Sequence, residues 1–202
     1  MQFVTHRFTC ELLDAKWAAE AAALYQDEKV MRLIGTPLTK AESERVTSGF
    51  IEANRQPWPT QKVWVITCNY TKAFCGIQML RKHTHKNSAE IGIMLARKMN
   101  GKGAAREAMG ALVDYGISHV NLDRIVAQFQ IRHLATRRLV TQLGFVKKND
   151  SLSTGSKSEL TTYTFERLRN CVILNRPINH KLPLNATRVS TRTGIICQKD
   201  YT

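Results

Sequence analysis

At 202 residues, with 43% hydrophobic and 23% charged, the chain has the composition of one folded domain with some sequence to spare. Its longest apolar stretches are strand-sized, such as VWVI at 63–66, which excludes a membrane-spanning helix; the start MQFVTHRFTCELLD lacks a basic lead and a long apolar centre, so a cytoplasmic address is expected. The net charge of +14 attracts polyanions (phosphorylated cofactors, nucleic acid, ribosomes, acidic proteins), and it is uneven: residues 1–50 hold six Lys/Arg against seven Asp/Glu, so the excess lies wholly beyond them.

RFTCELL (7–13) reads as a first strand. Asp14 then caps a helix over 14–27, with Trp17, Ala21 and Leu24 on one face. Thr39 and Glu42 have capping-box spacing and start a second helix over 39–53, which Pro57 and Pro59 close. Three strands follow in quick succession, at 61–68, 73–81 and 88–95, linked by the turn NYTK and the polar connection KHTHKN; short links predict an antiparallel meander. A helix over 104–120 carries Met109, Leu112, Val113 and Ile117 at core spacing, and a strand at 124–130 leads to a helix over 134–145. FVKK and ELTTYTFERL give a last pair of strands. The order βααβββαβαββ predicts an α/β domain, a mixed sheet with helices packed around it.

Residues 169–202 lie beyond that order, with two short apolar patches in polar, Pro-interrupted surroundings; they are expected to form an appendage, whether extra strand, homodimer arm or tail. The five cysteines are odd in number and contain no CxxC pair, which argues for reduced thiols against a disulfide framework or a zinc site. His83 and His85 fit a polar hairpin tip better than a metal site.

One junction asks for an explanation. The strand EIGIML runs through ARKMNGKG into the helix AAREAMGALVDYG. Two glycines one residue apart let backbone approach an anion closely, and the first turn of a helix presents unpaired N–H groups with partial positive charge. Ala104 and Ala105 keep bulk away and Lys102 adds charge, so the junction suits a phosphate or pyrophosphate. Its spacing fits neither GxxxxGK[ST] nor GxGxxG.

The run Lys98-Met99-Asn100-Gly101-Lys102-Gly103 resembles the [Q/R]xxGx[G/A] cofactor loop of the GNAT superfamily of acetyl-CoA-dependent N-acyltransferases, with Lys for the usual Gln or Arg. GKGAAREAM is similar to the GKGYATEA of the RimJ/RimL ribosomal-protein N-terminal acetyltransferase branch, and the opening strand–helix, AEIGIML and RRLVTQLGF resemble that branch in the same order over about residues 5–168. The resemblance implies a GNAT domain at 1–168, a mostly antiparallel mixed sheet with about four flanking helices, and a splay between the fourth and fifth strands. It implies acetyl transfer to an amine, most closely a protein N-terminal α-amine; a small-molecule amine, or a non-catalytic CoA-binding or ribosome- or RNA-associated role, are the alternatives. No nucleic-acid motif is legible.

On that resemblance the pyrophosphate of acetyl-CoA rests on backbone from Gly101 to Ala105, with Lys98 and Lys102 assisting, and Met94 and Leu95 contact the pantetheine through their backbone. Glu90 matches an acidic position that acts as base through water; it is one of two acids between 51 and 100. Where the branch shows NxxS, this chain has HLAT, so His133 stands at the pantetheine-holding Asn and Thr136 at the Ser facing the leaving sulfur. Tyr115 and Tyr163 are alternative proton donors for which core packing is the better expectation, as it is for Trp58 and Trp64 against an acceptor-groove role.

Overall fold

The structure, a computed structural model, describes residues 1–57, 60–148 and 160–166. Trp58 and the appendage 169–202 lie outside the described residues. Eight strands form one sheet: β1 (Gln2–Val4), β2 (Phe8–Leu12), β3 (Gln61–Cys68), β4 (Phe74–Lys82), β5 (Ser88–Leu95), β6 (Arg124–Gln130), β7 (Val146–Lys147) and β8 (Leu160–Glu166), in the order β1-β2-β3-β4-β5-β6-β8-β7. Every pairing is antiparallel except β5 with β6. The helices are α1 (Ala18–Gln26), α2 (Glu28–Met31), α3 (Lys40–Arg55), α4 (Ala104–Ser118) and α5 (Leu134–Gln142).

The expected elements are present, with three differences. Asp14 caps a single 3-10 turn, Ala15–Trp17, from which α1 continues. β1 and α2 were not expected; three and four residues are too short to show a period. The capping box of α3 is complete, with Thr39 accepting from the Glu42 amide and Glu42 from the Thr39 amide at 2.8 Å.

β3 shows how the sheet is sandwiched. Val63 and Val65 face one layer, with Ala21 and Leu24 of α1 and the half-buried Phe50 and Ile51 of α3; Trp64 and Ile66 face the other, with Met109, Leu112 and Val113 of α4 and Val140 of α5. A strand buried on both faces reads as a continuous apolar run rather than an alternation. Trp64 is fully buried against Phe3 and Tyr115, and Tyr163 stacks on Phe129, so these aromatics pack the core. Cys10 and Cys75 are buried and Cys68 half-exposed, all three as free thiols. His83 and His85 stack on each other, 5.2 Å between ring centres, in the β4–β5 turn. No described helix is long and apolar enough to cross a membrane.

The sheet opens in one place. β5 and β6 pair only at Ser88↔Arg124, Ala89↔Ile125 and Glu90↔Val126, and then part. This is the expected splay; β1 adds one to the strand count. From Ile91 to Leu95, β5 pairs with β4 on one edge and, among the described residues, with no strand on the other. Gly76 on β4 permits that arrangement: a Cβ there would sit 2.3 Å from the Met94 carbonyl oxygen.

Candidate active site

The glycine-rich junction leaves β5 through the 3-10 turn Arg97–Met99 and enters α4 at Gly103. Gly101 and Gly103 have φ of +74° and +69°, left-handed conformations that cost other residues about 1–2 kcal/mol. As N-cap of α4, Gly103 has no side chain to offer, and no side-chain cap bond is present. Ala104 is buried and Ala105 half-buried, so the first-turn amides stand at a surface free of bulky groups.

What fixes this loop is a latch from the β1–β2 turn. Arg7 donates from Nη1 to the Lys102 carbonyl at 2.8 Å and from Nε to Glu107 Oε2 at 2.6 Å. The Arg7 amide and the Thr5 hydroxyl donate to Glu107 Oε1 at 2.8 and 2.7 Å. Burial pushes the Glu107 carboxyl up, but the hydrogen bonds from Thr5 and Arg7 outweigh it and hold the group below its ordinary value.

Two cavities meet at the splay. A cleft is lined by Gly101, Gly103, Ala104, Ala105, Met94 and Leu95, with Arg106 and Arg138 from α4 and α5. A second cavity of about 280 Å³ holds Glu90, apolar walls from Ile91, Ile93, Met109 and Phe129, and Gln78, Gln128 and Gln130. Leu33, Ile34, Ile93, Met94, His133 and Thr136 line both. Most of the expected residues therefore converge. The two lysines do not join them in the same way: Lys98 lines a neighbouring hollow, and the Lys102 contact that is defined is its carbonyl, taken by Arg7.

Glu90 sits at the last β5–β6 pair, its Oε2 held by Arg81 at 2.7 Å. At α5 the capping residue is His133, whose Nδ1 lies 3.3 Å from the Thr136 amide and 3.1 Å from its hydroxyl. Thr136 is thus the capped residue rather than the cap. Burial, and more weakly the nearby charge of Arg32, hold the imidazole below its ordinary 6.5, so it is neutral at pH 7 and accepts. Nδ1 has one lone pair; when the amide takes it, the Thr136 hydroxyl proton is free to go elsewhere.

A family model described as an acetyltransferase (GNAT) domain matches residues 7–146. The chain belongs to the GNAT acetyltransferase family. It is an N-acetyltransferase. Among curated proteins it is similar to an uncharacterized N-acetyltransferase p20 of Bacillus licheniformis, 27% identical over 147 residues, 71% of this chain and 82% of that protein. Among solved structures, spermidine N-acetyltransferase from Vibrio cholerae, in complex with CoA and spermine, superposes with a TM-score of 0.67 at 20% identity, over 80% of this chain and 96% of that one. RimL, a ribosomal L7/L12 α-N-protein acetyltransferase solved with coenzyme A, gives 0.68 at 15% identity, over 81% and 96%.

Several residues at and beside the two cavities escape sequence reading. Arg7 and Glu107 are 100 positions apart, and nothing local marks them as partners. Gln78 is 1% exposed, its Nε2 donating to Cys10 Sγ at 3.2 Å while Oε1 has no partner among the described residues, and it lines the second cavity from within a strand that reads as core.

Proposed function

We propose that the protein transfers the acetyl group of acetyl-CoA to a protein N-terminal α-amine by direct attack on the thioester, and acts in the cytoplasm. The observation that carries this is the meeting of the two cavities at His133 and Thr136, with anion-suited backbone at the far end of one and a carboxylate in the other.

The residues present fit acetyl-CoA. The uncapped first turn of α4, reached through two left-handed glycines, suits a pyrophosphate, with Lys98, Lys102, Arg106 and Arg138 adding charge nearby. The unpaired edge of β5 at Met94 and Leu95 suits an amide-bearing arm laid along it as a further strand, with His133 beside it. Acetyl-CoA supplies an acyl group on a good leaving group. Glu90 takes the ammonium proton through water; an α-amine of pKa about 8 needs only modest help. Thr136 gives its proton to the departing sulfur, while the capped amide keeps His133 Nδ1 occupied.

The acceptor reading rests on what lines the pocket. Among the described residues Glu90 is its only carboxylate, and that is already paired with Arg81, so a polyamine meets no second acid among them. Three glutamines and apolar walls suit a first peptide residue with its flanking amides. An acidic or ribosomal protein fits the net charge of +14, and RimL is a relative that acts on such an N-terminus. Thiol release should be followed with acetyl-CoA and either mixed N-terminal peptides or spermidine. Turnover with peptides, falling 100-fold or more in Glu90→Gln and Thr136→Ala, supports the reading on the usual scale of acid–base contributions; unchanged turnover in both variants sinks the assigned roles.

A further inference from the structure

One polar atom in the walls of the Glu90 cavity lacks a counterpart. Glu90 itself is held by Arg81, Gln130 Oε1 receives Arg132 Nε at 2.8 Å, and the Thr136 amide is capped by His133. Gln78 is different. It is 1% exposed, where Glu90 and Gln130 are half-buried and Gln128 is exposed, so it is the deepest amide of the cavity. Its Nε2 donates to Cys10 Sγ at 3.2 Å, and burial pushes that thiol up to about 12, so the anchor is neutral. Its Oε1 has no donor among the described residues. A buried carbonyl oxygen without a donor costs stability and calls for an explanation.

One rival donor is near. Trp64 stands opposite Gln78 in the β3–β4 register, and its indole N–H is also buried without a partner among the described residues. The two side chains are neighbours and make no hydrogen bond to each other. On its other edge Gln78 pairs with Ile93, and the next pair along is Ile77 with Met94. Ile93 and Met94 line both the cleft and this cavity. Gln78 is thus one strand away from the place where the two meet.

We infer that Gln78 Oε1 accepts a hydrogen bond from the acceptor's amine and so aims the nitrogen lone pair at the thioester carbon. The inference rests on the placing of the acceptor in this cavity, as proposed above, and applies to a peptide α-amine and a polyamine alike. As the N–C bond forms, positive charge develops on the nitrogen. A neutral amide oxygen stabilises that charge through an N–H without taking the proton, which leaves proton removal to Glu90.

The test compares the full chain with Gln78→Met, whose unbranched side chain fills similar space and accepts no strong hydrogen bond. Thiol release is followed with acetyl-CoA and either the mixed N-terminal peptides or spermidine. The acceptor kcat/KM should fall about 10- to 100-fold, the usual effect of losing a hydrogen bond to a charged group, with calorimetric affinity for acetyl-CoA unchanged. Thermal stability should hold or rise, because an unpaired buried oxygen is gone. Lost activity with kept stability is a result that packing alone does not produce. A folded Trp64→Phe, which lacks the indole N–H, should keep the wild-type acceptor kcat/KM. A peptide N-methylated at its α-amine offers one N–H fewer; it should be poorer than its parent in the wild type, and the gap should narrow in Gln78→Met.

Unchanged acceptor kcat/KM in Gln78→Met overturns the assignment. So does a loss of stability alongside activity, or the same loss of activity in folded Trp64→Phe, because Gln78 then serves the core. A fall in acetyl-CoA affinity overturns it by giving the oxygen to the cofactor, and an N-methyl penalty equal in both proteins overturns it as well. Acetylation of spermidine with no peptide acetylated overturns the N-terminal reading instead, and the same variants then decide Gln78 on spermidine.

Discussion

Two helix N-termini face the cleft, and they are finished in opposite ways. At α4 the cap is Gly103, with φ of +69° and no side chain, and the first-turn amides are left for something outside the helix. At α5 the cap is His133, whose Nδ1 receives the Thr136 amide. An uncapped N-terminus is a local weakness in a helix that only packs; beside a cleft it is an anion site. A capped one binds nothing with its amides but fixes the side chain at its third residue, here the Thr136 hydroxyl. One helix thus offers backbone and the other a side chain, whereas α3 satisfies its own first turn with a complete capping box.

The largest expected effect comes from breaking the α4 side. Gly103→Pro forces a φ near −65° onto a position that stands at +69°. Displaced amides should weaken acetyl-CoA binding by 100-fold or more, about 3 kcal/mol, by calorimetric titration. Intact affinity in a folded Gly103→Pro would mean that the loop is not the cofactor site.

Next is the latch. The α4 N-terminus is held from outside, by Arg7 on the Lys102 carbonyl and on Glu107. Arg7→Ala leaves the Glu107 carboxylate half-buried with fewer donors, so thermal stability should fall by about 1–3 kcal/mol. Acetyl-CoA affinity should fall about tenfold with the acceptor KM little changed; Arg7→Lys keeps the charge but not the planar fork, and should recover only part of the affinity.

These two variants mark where sequence reading succeeds and where it stops. The glycine loop was legible because its requirement is local: positive φ and small size are written in Gly101, Gly103 and Ala104 themselves. The strands and α3 were legible for the same reason, through period and cap. The Arg7–Glu107 pair was not, because the sheet brings together residues 100 positions apart. Gly76 reads as an ordinary strand glycine, and its necessity depends on a Met94 carbonyl that only the β4–β5 register brings close. HLAT could be aligned, but not the division of labour within it. That His133 caps and Thr136 is capped depends on the His133 backbone, at φ −80° and ψ 71°.

A smaller effect sharpens the α5 side. His133→Ala removes the cap and should cost about 1 kcal/mol by chemical denaturation, with a larger proportional loss in kcat than in acetyl-CoA affinity if the hydroxyl is misdirected. His133→Asn is the informative partner. Asn is among the strongest capping residues, so stability and kcat should return toward wild type. Failure of Asn to restore either would mean that the imidazole does more than cap.

The smallest effect separates cap from charge, because at position 133 histidine titrates and asparagine does not. His133 has a folded-state value held below its ordinary 6.5, chiefly by burial, with Arg32 adding to it. Above 6.5 both the folded and the unfolded chain carry neutral imidazole, and the cap contributes in full. As pH falls below 6.5 the unfolded chain takes the proton first, so stability declines, and it levels off once pH has passed below the folded value. Glu107 titrates in a separate window: its value is depressed below 4.5, so its contribution is present above 4.5 and is lost only as pH falls further, through the folded value. Unfolding free energies measured from pH 7.5 downward should therefore slope sooner in the wild type than in His133→Asn, the two curves running parallel again below His133's folded value. Identical slopes throughout would show that His133 is no more shielded in the folded protein than in the unfolded one, and the contrast between the two helix ends would then rest on geometry alone.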